Sequence, residues 1–394
     1  MENPFHYGEI VGGSAFTDRD EEIEEVLGDV RNGQNVVLIS PRRYGKTSLL
    51  FEVTERAKRN GTLIAYIDLF RTPSKDTFAD HLADAIYGGL VAPIDRALHR
   101  ASTVFQKLPL QPKVTINPDG TPTFEFSPGA AERDVDRTIE QLLTLPGDIA
   151  RERKRRVVLI LDEFQEVVTL DPHLPALMRS VFQLQSEVSH IFAGSRRHLM
   201  NRVFTDENQP MYRLAKPLVL RTIPREAFAP FIEERFSSTQ QAIEPNATKR
   251  ILDVTEGHPH DTQELCYFVW ELALARQAVV TSDLVESALN RVIDHEEARF
   301  TTLWEGLTPY RRLVLSVLAR ADQRGIYAEE YRRQRGLGPA SSLQKAIAYF
   351  IDRELVEFST DGTYRVPDVF LRIWASRPRV ASIGSVTETK GVAS

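Results

Sequence analysis

Short apolar runs alternate with stretches of helical periodicity between residues 36 and 222. We predict that the runs are buried strands, and they are Val36–Ile39, Leu63–Leu69, Val157–Leu161, His190–Ala193 and Leu218–Leu220. Strands that are apolar throughout and separated by helices are typical of a parallel sheet covered by helices on both faces. The pattern therefore predicts an α/β core.

The residues on either side of this core follow other patterns. An amphipathic helix precedes the first strand, and Asp18 or Asp20 is its candidate N-cap. The periodicity after the last strand is purely helical, and the final residues are rich in Ser, Thr and Gly, which favours disorder. We divide the chain into an entry segment, the core, a helical lid, a separate C-terminal unit and a disordered tail, at residues 1–35, 36–222, 223–297, 298–378 and 379–394.

One irregular stretch, residues 109–128, interrupts the core. It contains several prolines, and Asp119-Gly120 stands between alternating apolar residues, which predicts a β-hairpin. A surface excursion is the interpretation we favour, and a partner-binding element is the alternative.

The C-terminal unit has the element order of a winged helix. Three helical patterns, the last over Ala340–Phe350, precede a hairpin that turns at Asp361-Gly362. In DNA-binding versions of this arrangement the third helix enters the major groove and the hairpin contacts phosphate. The residues that would contact DNA are Ser341, Ser342, Gln344 and Lys345, helped by Arg332, Arg333 and Arg335. Because the third helix is poor in charge, we favour packing on the core or binding of a protein, with DNA contact as the alternative.

Composition narrows the class of protein. The 394 residues carry a net charge of −6, which argues against general coating of nucleic acid but leaves room for a local basic face. The single cysteine, Cys266, excludes an internal disulfide framework and a thiolate metal cage, and it suits a reducing cytoplasm. We find no secretion signal in residues 1–20 and no apolar run of membrane length, so we expect a cytoplasmic protein without membrane association.

The most informative stretch follows the first predicted strand. A tight loop connects Ile39 to a helical pattern, and its residues are Ser40-Pro41-Arg42-Arg43-Tyr44-Gly45-Lys46-Thr47-Ser48. A strand, a loop and a helix N-terminus in this order form a cradle for phosphate. The backbone N–H groups face the anion, Lys46 adds positive charge, and the hydroxyl of Thr47 is a ligand for Mg²⁺. The residues depart from the pattern G-x-x-x-x-G-K-[ST] only at Ser40, where the pattern has glycine. That position often needs a positive φ or a close backbone approach, so we expect nucleotide binding to survive and fast hydrolysis to be less secure.

A second motif complements the phosphate loop. The predicted strand at Val157 runs into Asp162-Glu163. In a nucleoside triphosphatase, the first acid holds Mg²⁺ and the second polarises the attacking water. Alone, the two acids could equally cap the following helix. Together with the phosphate loop they indicate a site for ATP and Mg²⁺.

These two motifs resemble those of the archaeal-type ATPase family, a branch of the AAA+/STAND P-loop proteins related to origin-recognition initiators. The resemblance extends from about residue 3 to residue 376. It implies a P-loop αβα core, a helical lid and a winged helix-turn-helix domain. It also implies an ATPase in which Lys46 and Glu163 act on the phosphates and on water.

The resemblance also suggests roles for residues outside the two motifs. Phe16 and Arg19 belong to an entry motif that packs on adenine, although Phe5 and Phe16 could equally be packing residues. Ser195 matches the polar sensor near the γ-phosphate, with an ordinary strand-end turn as the alternative. Pro259 belongs to a Gly-x-Pro motif of the lid, where we expect the flanking His258 and His260 to be structural.

Arg213 lies in a stretch that carries an arginine finger in related oligomers. The alternatives are that it pairs with a surface acid, or that Arg196 or Arg197 is the finger.

Two functions therefore stay open. The first is an ATP-dependent switch or motor that acts on a protein partner or on its own homo-oligomer. The second is a DNA-associated ATPase whose winged helix binds duplex DNA.

Overall fold

The computed structural model describes residues 2–13, 16–92, 105, 108, 110, 112–118, 121–126, 132–320, 323–359 and 362–377. The chain forms two compact units, Met1–Trp270 and a second that begins at Glu271. The predicted tail from residue 379 and the turn residues Asp119, Gly120 and Asp361 lie outside the described residues. The predicted domain boundaries remain predictions.

A five-stranded parallel sheet forms the centre of the first unit, with strand order β2-β5-β6-β1-β7. The strands are β1 (Val36–Ile39), β2 (Leu63–Asp68), β5 (Val157–Asp162), β6 (Val188–Gly194) and β7 (Lys216–Val219). The aliphatic residues of β1, β5 and β6 are buried, and helices cover both faces of the sheet, in agreement with the predicted α/β fold. Because all five strands are parallel, their carboxyl ends meet at one edge.

The helices of this unit account for most of its remaining described residues. They are α1 (Asp20–Arg31), α2 (Lys46–Arg59), α3 (Lys75–Ile86), α4 (Glu132–Arg153), α5 (Glu166–Leu170), α6 (Leu174–Phe182), α7 (Arg197–Thr205), α8 (Arg225–Ser238) and α9 (Pro245–Thr255). The boundary between the units falls inside α10 (Pro259–Arg276).

Two local predictions were wrong. The helix α1 has Arg19 at its N-cap and no side-chain cap, while Asp18 adopts a left-handed backbone and Asp20 is already helical. The last strand begins at Lys216 and is mostly exposed, and it lies at one edge of the sheet.

The predicted hairpin is present as β3 (Lys113–Ile116) and β4 (Pro122–Glu125). Phe124 is buried against Tyr87 and Phe105, with ring centroids 5.3 and 4.8 Å apart. Two carboxylates of α3 accept hydrogen bonds from this ribbon, Asp84 from the Phe124 N–H at 2.9 Å and Asp80 from the Phe126 N–H at 2.7 Å. The ribbon is therefore fixed to α3.

The second unit contains the predicted winged helix. Its helices are α11 (Ser282–Glu305), α12 (Pro309–Arg320), α13 (Glu329–Arg335), α14 (Ala340–Asp352) and α15 (Val369–Ser376), and its short strands are β8 (Glu357–Phe358) and β9 (Tyr364–Arg365). Sequence patterns did not predict α15, which Asp368 caps by accepting from the Leu371 N–H. Among the described residues, none of the helices combines the length and the apolar character needed to cross a membrane.

Candidate functional site

The loop after β1 has the geometry of a phosphate cradle. Ser40 is fully buried and donates its N–H to the carbonyl oxygen of Gly194 at 3.2 Å. The left-handed backbone occurs further along, at Arg43 with φ 67° and at Gly45 with φ 81°. Lys46 then begins α2. The chain turns at positions 43 and 45, so the serine needs no positive φ at position 40.

Two acids at the end of β5 face the lysine of this loop. Lys46 Nζ contacts Asp162 Oδ1 and lies 2.6 Å from Glu163 Oε1. The lysine is 8% exposed and Asp162 is 4% exposed, so the pair is nearly removed from water. Glu163 has a left-handed backbone with φ 51°, which is uncommon for a residue with a side chain.

Three other side chains donate hydrogen bonds to Asp162 and Glu163. The register of β2 and β5 pairs Tyr66 with Ile160, two residues before Asp162, and the Tyr66 hydroxyl donates to Asp162 Oδ2 at 2.8 Å. Ser195 Oγ donates to Glu163 Oε2 at 2.9 Å, and Gln165 Nε2 donates to the same oxygen at 2.5 Å. Sequence reasoning missed Tyr66 and Gln165.

This arrangement shifts the pKa values of Glu163 and Tyr66. Burial alone would raise the pKa of Glu163, but the charge of Lys46 and the hydrogen bonds from Lys46, Gln165 and Ser195 bring that pKa below its usual value. Burial and the adjacent charge of Asp162 raise the pKa of the Tyr66 phenol, so this hydroxyl remains a donor. The protein donors around Glu163 therefore favour its ionised form.

The cluster lies in a cleft of about 940 Å³. Most of the predicted site residues line this cleft, and they are Phe16, Arg19, Pro41, Arg42, Arg43, Tyr44, Gly45, Lys46, Thr47, Ser48, Asp162, Glu163, Ser195 and Pro259. Ser40 lies buried below the loop and does not line it.

The entry segment closes one side of the cleft. Arg19 is buried, and its guanidinium donates to Glu22 at 2.7 Å and to the carbonyl oxygen of Arg221 at 2.5 Å. Phe16 packs on the cluster of apolar residues around α1. Phe5 lies elsewhere, buried with its ring centroid 4.9 Å from that of Phe236. Arg19 thus ties this segment to the chain after β7.

The first turn of α10 contacts the phosphate loop. The rings of Tyr44 and His258 meet edge to face with centroids 4.6 Å apart, and Pro259 opens the helix beside them. Burial alone would raise the pKa of Asp261, but the neighbouring imidazoles of His258 and His260 lower it. This contact joins the loop to the predicted lid.

The three candidate finger arginines lie in different places. Arg196 lines the cleft, with its Nη1 3.8 Å from Glu166 Oε1, and Arg197 begins α7. Arg213 does not line the cleft; it is exposed, has a φ of 54°, and lies with its guanidinium 5.0 Å from the centre of the Tyr212 ring.

The candidate DNA-contacting residues lie on the first half of α14. Ser341, Gln344 and Lys345 are exposed, and Ser342 is half-buried. The second half of α14 carries an unpredicted feature, in which Tyr349 stacks with Arg311 and Arg353 at 3.5 and 3.8 Å from its ring centre. At these distances the two guanidinium groups must lie on opposite faces of the ring. We call these three side chains the arginine–tyrosine stack.

Comparisons with known proteins agree with this architecture. Residues 16–265 match the model of an ATPase domain found predominantly in Archaea, and residues 298–377 match that of a probable winged helix domain. No curated protein sequence matches the chain.

Solved structures resemble the fold over nearly the whole chain. The Walker-type ATPase PABY2304 of Pyrococcus abyssi is 15% identical with a TM-score of 0.64, and the match covers 94% of this chain and 99% of that one. The Aeropyrum pernix ORC2 protein, in ADPNP–ADP complexes, is 17% identical with a TM-score of 0.53, and the match covers 91% of this chain and 92% of that one. The fold is that of a P-loop ATPase followed by a winged helix, and the chain belongs to the family of ATPases found predominantly in Archaea.

Proposed function

We propose that the protein binds and hydrolyses ATP with Mg²⁺ and uses this reaction as a nucleotide-driven switch or motor. The observation that carries the proposal is the meeting of Lys46 with Asp162 and Glu163 at the phosphate loop. A cation on the loop and two acids at the end of β5 are the parts that phosphoryl transfer to water requires.

The cleft suits a nucleoside triphosphate. Its volume of about 940 Å³ lies in the range of small-molecule sites, and one end is the N-terminus of α2 with Lys46. Phe16 and Pro259 line the same cleft and offer apolar surface to a base. The ORC2 protein of similar fold was solved with ADPNP and ADP, which supports a nucleotide here.

The oxygen donors beside the loop suit Mg²⁺. Thr47 has a hydroxyl and Asp162 a carboxylate, both hard ligands of the kind that this ion prefers. Bound there, Mg²⁺ would neutralise charge on the phosphates. Both oxygens of Asp162 accept hydrogen bonds, from Lys46 and from Tyr66, so Lys46 must exchange its carboxylate partners for phosphate when nucleotide binds.

The roles of the remaining residues follow from their positions. Glu163 activates the attacking water as a general base, and Lys46 stabilises charge on the transferred phosphate. Ser195 donates to Glu163 and senses the γ-phosphate by exchanging that bond for one to phosphate. In this scheme the three side chains change partners together when ATP enters.

The test is phosphate release measured beside ATP binding, with and without Mg²⁺. We expect Glu163→Gln to bind ATP as the parent does and to turn it over about 10²–10⁴-fold more slowly. Unchanged turnover in Glu163→Gln would refute the assignment of the general base. Absence of ATP binding by the unaltered protein would refute the whole proposal.

We propose further that the switch acts on a protein partner or on its own homo-oligomer, with Arg213 completing the site of a neighbouring subunit. The exposed position of Arg213, away from its own cleft, favours action in trans.

A particle-size measurement with and without ATP tests the assembly. Arg213→Ala should lower turnover about 10³-fold or more and remove its dependence on protein concentration. Unaltered turnover per subunit would assign Arg213 to the surface only.

A second candidate function is association with duplex DNA through the winged unit. Residues 298–377 contain 13 Lys and Arg against nine Asp and Glu, although the whole chain carries a net charge of −6. The arginine–tyrosine stack adds two planar donors beside the helix that would enter the groove, Arg311 on α12 and Arg353 just after the end of α14. Titration of labelled duplex at several salt concentrations tests this candidate, and absence of binding at low salt would exclude it.

A further inference from the structure

We propose that Gln165 is a positioning residue for hydrolysis, which fixes the carboxylate of Glu163 through a hydrogen bond to Oε2. This inference rests on the proposed ATPase function, and it concerns a residue to which neither of the two sequence motifs assigns a role. Gln165 is 3% exposed, and its Nε2 lies 2.5 Å from Glu163 Oε2.

The chemistry of the contact fixes which way the amide faces. An ionised carboxylate accepts hydrogen bonds and cannot donate them, so Gln165 must present its NH₂ group to Glu163. Its carbonyl oxygen then faces the other way, towards the backbone of Gly194. In that position Gln165 Oε1 is buried and, among the described residues, has no hydrogen-bond partner.

Gly194 provides the room for this orientation. A Cβ atom added at Gly194 would lie 2.5 Å from Gln165 Oε1, a distance that real side chains do not show. The end of β6 therefore leaves space for the carbonyl of Gln165, and the next residue, Ser195, supplies the second donor to Glu163 Oε2. In the scheme proposed above Ser195 exchanges this bond for one to phosphate when ATP enters, so Gln165 is the donor that still restricts the rotation of the carboxylate.

The unpartnered carbonyl argues that this glutamine does not serve stability. A buried polar atom without a partner destabilises the fold, and the one hydrogen bond to a charged group offsets this by a similar amount. An apolar residue of the same length would therefore fold about as well. The main effect of a glutamine at this position is therefore to orient the carboxylate of Glu163.

Matched substitutions separate this role from packing. Gln185 is a second buried glutamine whose Nε2 donates, to the carbonyl oxygens of Leu143 and Thr144 at 2.9 and 3.2 Å, and whose Oε1 has no partner among the described residues. It lies away from the cleft lining. Gln165→Met and Gln185→Met thus make the same chemical change at two buried sites, one of them at Glu163.

The experiment measures kcat, KM for ATP and the thermal midpoint of the unaltered protein and the variants. We expect Gln165→Met to lower kcat about tenfold or more with KM changed less than threefold, and Gln185→Met to leave kcat unchanged. A kcat within twofold of the parent in Gln165→Met, or an equal loss in Gln185→Met, would overturn the proposal.

Failure of the proposed function gives a different result. If the unaltered protein neither binds nor hydrolyses ATP, the ATPase assignment fails before any variant is compared. If it hydrolyses ATP and Gln165→Met leaves kcat unchanged, only the positioning role of Gln165 is refuted.

Discussion

The nucleotide cleft and the winged unit hold their charges in opposite ways. In the cleft, Lys46 and Asp162 are buried. Each carboxylate oxygen of Asp162 and Glu163 accepts a hydrogen bond from a protein donor. In the winged unit, Arg311 has neither a hydrogen bond from its guanidinium nor an ion pair among the described residues, and it stacks on Tyr349. Arg353, on the other face of that ring, lies 3.6 Å from Asp352, whose side chain is 72% exposed.

The difference determines how each region responds to a substitution. Removing one partner of a buried ion pair costs about 3–5 kcal/mol, because it leaves an uncompensated charge out of water. An exposed pair contributes about 0–1 kcal/mol. The cleft therefore couples binding to stability, whereas the partly exposed arginine–tyrosine stack can change its ligands with little effect on the fold.

The largest expected effect follows from Lys46→Ala. Because Asp162 and Glu163 would then face each other without a cation, we expect unfolding free energy to fall by about 3–5 kcal/mol. Turnover should fall about 10²–10³-fold through loss of the charge beside phosphate. Urea unfolding and ATP titration check the two effects.

The control for this variant is Lys216→Ala. Lys216 is exposed and pairs with Glu25 and Asp29 at 2.9 and 3.0 Å, so its removal should cost less than about 1 kcal/mol and leave ATP binding intact. Intact ATP affinity in Lys46→Ala would contradict the nucleotide site.

Tyr66→Phe should have a smaller effect, confined to the metal. The substitution removes the hydrogen bond to Asp162 Oδ2, and loss of such a contact behind a metal ligand typically lowers affinity about 10–100-fold. We expect the Mg²⁺ concentration for half-maximal turnover to rise about tenfold, while kcat at saturating Mg²⁺ changes little. An unchanged Mg²⁺ requirement would show that Tyr66 does not orient Asp162.

Local sequence patterns predicted the parts of this site that lie close together along the chain. The phosphate loop and the acids of β5 are each a strand followed at once by functional residues, so the pattern indicates both. Tyr66 and Gln165 act through contacts that depend on strand register and on the room beside Gly194, which no local pattern encodes. In the same way, the sequence predicted the helices and hairpin of the winged unit but missed α15 and the pairing of Arg311 with Tyr349 across two helices.

The pH dependence of the unfolding free energy tests whether the folded cleft holds Glu163 as a carboxylate. Glu163 has a pKa below its usual 4.5 in the folded protein, because donors outweigh the effect of burial. A carboxyl group with a lowered folded pKa stabilises the protein above the unfolded pKa, and this contribution is lost as pH falls through the folded value. Glu163→Gln has no titratable carboxyl group at this position, so it lacks this contribution. We therefore expect the difference in urea midpoint between the parent and Glu163→Gln to shrink as pH falls below 4.5. A difference that stays constant with pH would mean that Glu163 is not held as a carboxylate.

The smallest expected effect concerns the arginine–tyrosine stack and decides whether it is a ligand site. If Arg311 binds a phosphate of duplex DNA, Arg311→Ala should reduce the slope of log affinity against log salt by about 0.9, and affinity should fall severalfold. The change in stability should be small, because among the described residues the Arg311 guanidinium has neither a hydrogen bond nor an ion pair and stacks on the half-buried ring of Tyr349. Arg225→Ala removes an exposed arginine that pairs with Asp253 in the first unit, and it should leave the slope unchanged. If both variants shift the slope equally, general charge and not the stack accounts for the binding.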